Sequence, residues 1–293
     1  MARIAVVTYD PRPEPSKDAD LPVLLRALRA AGADADGVFW DDTAVDWAAY
    51  DLVLIRSTWD YSWRAAEFTA WTQKVAAVTR LANPAEVVRW NTDKRYLGEL
   101  AAAGVPTVPT RYIAPGEPAG SLGEAEYVVK PTSGAGARYA ARYTPDQHDT
   151  AVRHLARMHA EGLTAMVQPY VRGIDTGGER ALQFFGGRLL HASRKRAVLA
   201  RGTAFDADKV AHPGLEPWTP TPAELAVAER ALAAVPDAPE LLYARVDLVD
   251  GDDGQPRVME LELVEPNLFL FLHPDSVPAV VAAVLAAAAA ATA

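Results

Sequence analysis

The first ninety residues alternate between short apolar runs and helical apolar stripes. Ile4 to Tyr9 is a continuous apolar run of strand length, and Asp51 to Ser57 (DLVLIRS) is a second. Leu21, Leu24, Leu25 and Leu28 mark one face of a helix that Gly32 can stop, and Phe68, Trp71, Val75 and Val78 mark another. Strands that alternate with helices predict a parallel sheet, with ligands received at the carboxyl ends of its strands.

The middle of the chain changes pattern. Asn91 to Ala103 (NTDKRYLGELAAA) reads as a capped helix, and VPTVPT after it as an extended connection, because each proline disfavours helix before it. Strand EYVVKP, loop TSGAGARYAA, a helix near Pro145 to Glu161 and strand TAMVQPYV make a small α+β insert. The last third holds two hairpins. ALQFF and RLLHAS flank Gly186-Gly187, and LLYARVDLV pairs with RVMELELVE across DGDDGQP, with a helix from Pro222 to Ala234 between the hairpins. The division this predicts is an N-terminal α/β domain over 1–90, a central lid over 91–172 and a β-rich C-terminal domain over 173–293.

Composition narrows the classes of function. At 293 residues the chain suits two or three packed subdomains. A formal charge of −9 argues against a nucleic-acid partner, and the absence of cysteine excludes disulfides, zinc–thiolate sites and a cysteine nucleophile. MARIAVVTYD lacks the long apolar region of a signal peptide. The uncharged run from Val277 to Ala293 is mostly alanine and reads as a final helix packed on the body, not a membrane anchor. A cytoplasmic protein without membrane or nucleic-acid partners is expected. No G-x-S-x-G elbow exists, so serine-hydrolase chemistry is not expected.

Candidate chemistry begins at Lys130, which ends the apolar strand Tyr127-Val128-Val129 and places an ammonium at the mouth of a buried sheet. A snorkelling edge lysine is the bland alternative. The loop that follows, Thr132 to Ala137, carries Ser133, Gly134 and Gly136. Small residues let backbone N–H groups approach a phosphate closely, although the loop is neither a Walker A motif nor a dinucleotide fingerprint. Along the second hairpin, strand alternation puts Arg245 and Asp247 on one face, with Glu260 and Glu262 on one face of the partner strand. Clustered carboxylates repel and are costly to desolvate, and a divalent cation with a preference for oxygen would remove that cost. An ordinary solvated face, with Val246, Leu248, Leu261 and Leu263 toward the core, is the competing reading. Arg194, Lys195 and Arg196 close the first hairpin, where a cation could neutralise a transferring phosphoryl group or simply sit in solvent. Arg56, Ser57, Thr58 and Asp60 follow a buried strand. They suit a small substrate carrying both charges, or else Arg56 and Asp60 pair with each other.

The order of these parts resembles the ATP-grasp superfamily over nearly the whole chain, best from Asn91 to Asn267. The resemblance implies a three-lobed α/β fold with an α+β insert, and it assigns roles. Lys94 in NTDKRYL and Lys130 would contact the nucleotide phosphates, and the loop Ser133 to Ala137 would close over them. Gln168, Tyr170 and Val171 in VQPYV are similar to the strand that reads the adenine edge. Arg180 and Arg194, with Lys195 beside them, look like the basic residues near the γ-phosphate. Asp247, Glu260 and Glu262 occupy the metal positions. Glu262 stands where asparagine is usual, so Asn267 is a substitute contact to consider. RSTWDY, FFGGRLLHASRKR and MELELVEPNLFL look most like a glutathione-synthetase-like branch that includes the cyclo-ligases making D-cycloserine from O-ureido-D-serine. The resemblance therefore implies ATP and two Mg2+ ions, a small amino-acid-like carboxylate substrate, an acylphosphate mechanism and, at the level of assembly, a homodimer. Joining of two amino acids or peptides, and a non-catalytic ATP-binding regulator, are the rival expectations.

Overall fold

The computed structural model describes residues 1–12, 18–207, 209–210, 212–237 and 239–290. The first unit is β1 (Arg3–Thr8), α1 (Asp20–Ala30), β2 (Asp34–Phe39), β3 (Leu52–Ser57), α2 (Ala65–Ala76) and β4 (Leu81–Ala82). Its four strands are parallel, in the order β2-β1-β3-β4. β3 is buried at every position, as its unbroken apolar run requires of a strand covered on both faces. Phe68, Trp71 and Val75 of α2 are buried. Val78 falls beyond the helix end and is exposed.

Two short helices follow, α3 (Ala85–Asn91) and α4 (Tyr96–Ala102), with Lys94 in the turn between them. The sequence pattern made Asn91 the cap of one continuous helix. Instead it ends α3, and its buried amide bridges two backbone groups: Nδ2 donates to Leu261 O at 2.8 Å and Oδ1 accepts from Leu263 N at 2.7 Å. Tertiary hydrogen bonds have replaced the local cap. Tyr96, Leu97, Leu100 and Val105 pack with the C-terminal sheet, so this segment shares that core and not the lid's.

The lid proper is β5 (Arg111–Ile113), β6 (Tyr127–Pro131), β7 (Ala141–Tyr143), α5 (His148–Ala160) and β8 (Ala165–Pro169), an antiparallel sheet ordered β5-β8-β6-β7. One face closes a separate core with Ala151, Leu155 and Met158 of α5. The other face, carrying Val128, Lys130, Met166 and Gln168, turns toward the C-terminal body.

After a short helix, α6 (Gly173–Gly177), come β9 (Glu179–Phe185), β10 (Arg188–Lys195), β11 (Glu216–Trp218), α7 (Pro222–Ala233), β12 (Tyr243–Asp250), β13 (Pro256–Glu262) and α8 (Val277–Ala289). The antiparallel sheet is ordered β11-β10-β9-β12-β13. α7 covers one face through Val227, Ala228 and Ala231 against Leu182, Val246, Leu248 and Leu261. α7 starts on a capping box, Thr221 to Glu224, with Pro222 in its first turn. α8 packs on the first unit: Val280, Val281 and Val284 share one core with Ile4, Leu24, Leu28, Leu54, Phe185 and Tyr243. Residues 291–293 of the alanine run lie outside the described residues, and among those described no helix is long and apolar enough to cross a membrane.

Asn83 fastens the first unit to this sheet. It is fully buried; its Nδ2 donates to Tyr243 O at 2.9 Å and Leu263 O at 2.8 Å, and its Oδ1 accepts from Leu242 N at 2.8 Å. Asn83→Ala leaves three backbone groups buried without partners, each costing roughly 1–3 kcal/mol. We expect a loss of about 3 kcal/mol or more in urea unfolding. A change under about 1 kcal/mol would show that the backbone finds other partners.

Candidate active site

Charged residues of both signs meet where the lid's inner face opposes the C-terminal sheet. Strand pairing sets Asp247 opposite Glu260 and Arg245 opposite Glu262. Asp247, Glu260 and Glu262 each offer one oxygen within 4.8 Å of the others. Their apolar neighbours Val246, Leu248, Leu261 and Leu263 are fully buried, and all four enter the α7 core. Lys94 Nζ lies 3.1 Å from Glu260 Oε1 and donates to Gly134 O at 2.7 Å, which ties the glycine loop to the acids. Lys130, from the lid, has no hydrogen bond or ion pair among the described residues. Its ammonium is pushed down by burial and by Lys94, with Glu260 opposing.

The loop after Lys130 has the conformational freedom its composition implies. Gly136 sits at φ +61° with open space where a Cβ would go, and Ser133 Oγ is buried without a partner. Arg138, at the loop's far side, stacks over Trp63 of the first unit, 4.9 Å from its ring centre.

The basic residues of the first hairpin divide between two faces. Lys195 turns inward, paired with Glu179 and lying 3.0 Å from Asp247 Oδ2. Gly178 permits this approach, since a Cβ there would fall 2.5 Å from Lys195 O. Arg194 is on the other face, bonded to Glu216 and stacked over Trp218. Arg180 shares that far face, held by Glu224 at 2.6 Å and by Asp250. Arg180 and Arg194 line an outer groove of about 410 Å³ with Trp218 and Thr221. Strand parity turns both away from the face that carries Asp247, Glu260 and Glu262. Beside the acids, along with Lys94 and Lys195, stands Arg245, noted from the sequence only for its shared face. Its Nε and Nη2 donate to Asp247 at 2.9 and 2.8 Å, Nη2 also reaches Glu262, and Nη1 is buried without a partner.

Burial raises every carboxyl here, and the neighbours decide the outcome. For Asp247, Arg245 and Lys195 overcome burial and hold it well below the usual range. For Glu260, Lys94 and Lys130 likewise outweigh burial and lower it. For Glu262, burial prevails over Arg245 with help from Glu260 and Asp247, pushing it up to about 7. Glu265, which the sequence reading did not single out, is pushed up to about 8 by burial and then by Glu262.

The remaining candidates fall at two other places. Gln168 is buried with Nε2 donating to Thr110 Oγ1 at 2.9 Å, so its amide is engaged within the lid. Tyr170 and Val171 join Val108, Val128, Ile174 and Val249 in an apolar cluster between the two sheets. At the carboxyl end of β3, Arg56 donates to Pro266 O and stacks 5.6 Å over Tyr243, with Nη1 unpartnered. Ser57 Oγ is bonded to Thr8 Oγ1 at 2.8 Å, and Thr58 Oγ1 is buried without a partner. Asp60 accepts from Trp40 Nε1 at 2.9 Å and pairs with Arg64 at 3.3 Å. It does not pair with Arg56, so it shapes the loop from outside. Asn267 bonds His212 Nε2 through its amide at 3.0 Å, and its carbonyl accepts from Gln183. The loop after it is pinned by Asp20, whose carboxylate accepts from the backbone N–H groups of Leu268, Phe269 and Leu270.

A parallel N-terminal sheet, a small antiparallel lid and an antiparallel C-terminal sheet, with lysines and acids between the last two, constitute the architecture of ATP-grasp ligases. A D-alanine–D-alanine ligase from Bacillus anthracis, solved with ATP, has this fold at a TM-score of 0.69 and 17% identity, with 98% of this chain and 97% of that one aligned. The family model for the N-terminal domain of D-cycloserine synthetase DcsG matches residues 4–83. The cycloserine biosynthesis protein DcsG of Streptomyces lavendulae is 42% identical over 283 residues, covering 88% of this chain and 90% of that protein. The crystal structure of D-cycloserine synthetase DcsG superposes at a TM-score of 0.87, with 36% identity over 97% of this chain and 98% of that one. The chain belongs to the DcsG family of ATP-dependent carbon–nitrogen ligases.

Proposed function

We propose that this protein is an ATP-dependent cyclo-ligase that closes a small amino-acid derivative of the O-ureido-D-serine type to a D-cycloserine type ring. The observation that carries the reading is the meeting of Lys94, Lys130 and the Ser133–Ala137 loop with Asp247, Glu260 and Glu262, in a chain 42% identical to DcsG.

The acids fit Mg2+. Glu260 and Glu262 each hold one oxygen to a cation and, among the described residues, leave Oε2 without a protein partner, and Mg2+ typically takes one or two carboxylates with phosphate oxygens and water. With Asp247 they would hold two ions, which when bound supply neutralising charge beside the phosphates. Lys94, Lys130 and the loop hold the triphosphate, and the apolar cluster around Val128, Tyr170 and Val249 receives the adenine. The substrate carboxylate attacks the γ-phosphorus to give an acylphosphate and ADP. The oxyamine nitrogen of the same molecule then displaces phosphate at the acyl carbon, losing its proton to solvent; hydrolysis releases the carbamoyl group from that nitrogen as carbon dioxide and ammonia, and ring closure gains from proximity. Arg245, with its free Nη1, and Lys195 stand where charge develops, in the role the sequence pattern suggested for Arg194. The lid's contact from Arg138 to Trp63 shields the acylphosphate from water.

Purified protein given ATP, Mg2+ and O-ureido-D-serine as sole amino-acid substrate should release ADP and phosphate in equal amounts and form the ring product, detected by mass spectrometry. EDTA should abolish it. Phosphate release only on addition of a second amino acid would replace cyclisation with joining.

A further inference from the structure

Glu265 is the acid at this site without a counter-charge. It is 8% exposed, yet it has no hydrogen bond or ion pair among the described residues. By contrast Asp247, Glu260 and Glu262 each hold a lysine or arginine. Glu265 also stands outside the group close enough to share an ion. It lies three residues beyond the end of β13, where the chain turns from the acid ladder toward the first unit.

Its surroundings come from that unit and from the C-terminal sheet. The Tyr61 phenol feels the charge of Glu265 ahead of those of Glu262 and Glu260, and Tyr243 feels both Arg56 and Glu265. Arg56 donates to the carbonyl of Pro266, the residue next to Glu265. Arg56 Nη1 and Thr58 Oγ1 are both buried and unpartnered. An unpaired carboxyl and two unpaired donors thus lie on the two sides of the Arg56–Pro266 hydrogen bond at the carboxyl end of β3, where a parallel sheet receives its ligand. Buried charges are retained unpaired at a cost, and a ligand of opposite charge removes it.

We infer that Glu265 binds the α-ammonium of the substrate, with Arg56 and Thr58 directed at its anionic end. This rests on the cyclo-ligase reading above. The α-amine is not consumed in ring closure. A carboxylate partner keeps it protonated, so it does not attack a second activated molecule.

The test compares O-ureido-D-serine with its des-amino analogue, 3-(ureidooxy)propanoate, in ATP-dependent phosphate release. Wild-type protein should prefer the amino substrate in kcat/KM on the order of 100-fold or more, because a site built to pair a polar group rejects the analogue that lacks it. Glu265→Gln should collapse that preference to within about 10-fold, raise KM for the amino substrate and leave KM for ATP unchanged. Glu265→Asp should retain part of the preference, and it supplies the same ratio if the glutamine variant does not fold. Equal loss on both substrates, or an undiminished preference, would overturn the inference alone. Wild-type inactivity on O-ureido-D-serine would overturn the functional reading and the inference with it.

Discussion

Glu260→Gln should lower ATP-dependent turnover on the order of 100- to 1,000-fold at every Mg2+ concentration. The change is isosteric and the position is part-exposed, so folding should survive. What is lost is a formal charge that Lys94 and Lys130 hold ionised from two sides. A neutral amide can offer an oxygen to a cation but does not balance two lysines and a metal. The measurement is kcat over a magnesium titration, with the thermal midpoint as a control for folding. Wild-type kcat at saturating Mg2+ would remove Glu260 from the metal site.

Lys130→Ala should weaken ATP binding by about 100-fold or more, since truncating one partner of a buried charge pair typically costs 2–5 kcal/mol. Lys130 differs from Lys94 and Lys195, which have carboxylates within hydrogen-bonding distance. Its ammonium is desolvated and unpaired, an arrangement that favours arrival of an anion. The empty protein should therefore tolerate the substitution, with little loss in thermal midpoint, while calorimetric affinity for ATP falls. Unchanged ATP affinity would take Lys130 out of the nucleotide site.

Much of this architecture was legible because two periods carried it. Alternation along LYARVDLV and MELELVE sorted acids from core residues, and the paired strands keep that sorting although Met259 bulges out between Glu260 and Val258. The first hairpin departs from an even count for a definite reason. Leu189 pairs with Phe184 and His191 with Gln183, so Leu190 is an extra residue in the ladder. Counting evenly from the Gly186-Gly187 turn puts Arg194 on the acid face. One bulged residue inverts the count and puts Lys195 there. Nothing in RLLHASRKR announces that bulge. Glu265 and Asp20 were illegible for a different reason: one owes its position to a lack of partners, the other to amides some 250 positions away. Local pattern records neither. Asn91 shows the same limit, because a good capping residue was claimed by a distant strand.

The three lobes are not equally separable. α1, α8 and the N- and C-terminal sheets contribute to one apolar core, and Asp20 stitches the first helix to the loop beyond the metal acids. The lid alone keeps a core of its own. For anyone recombining this scaffold with relatives, crossovers around the lid cut the packing of Val128, Met166 and Tyr170 on the C-terminal sheet, and transplanting residues 1–90 as a cassette would divide a common interior. Altered substrate choice is better sought by point changes in the β3 loop than by exchanging the lobe that bears it.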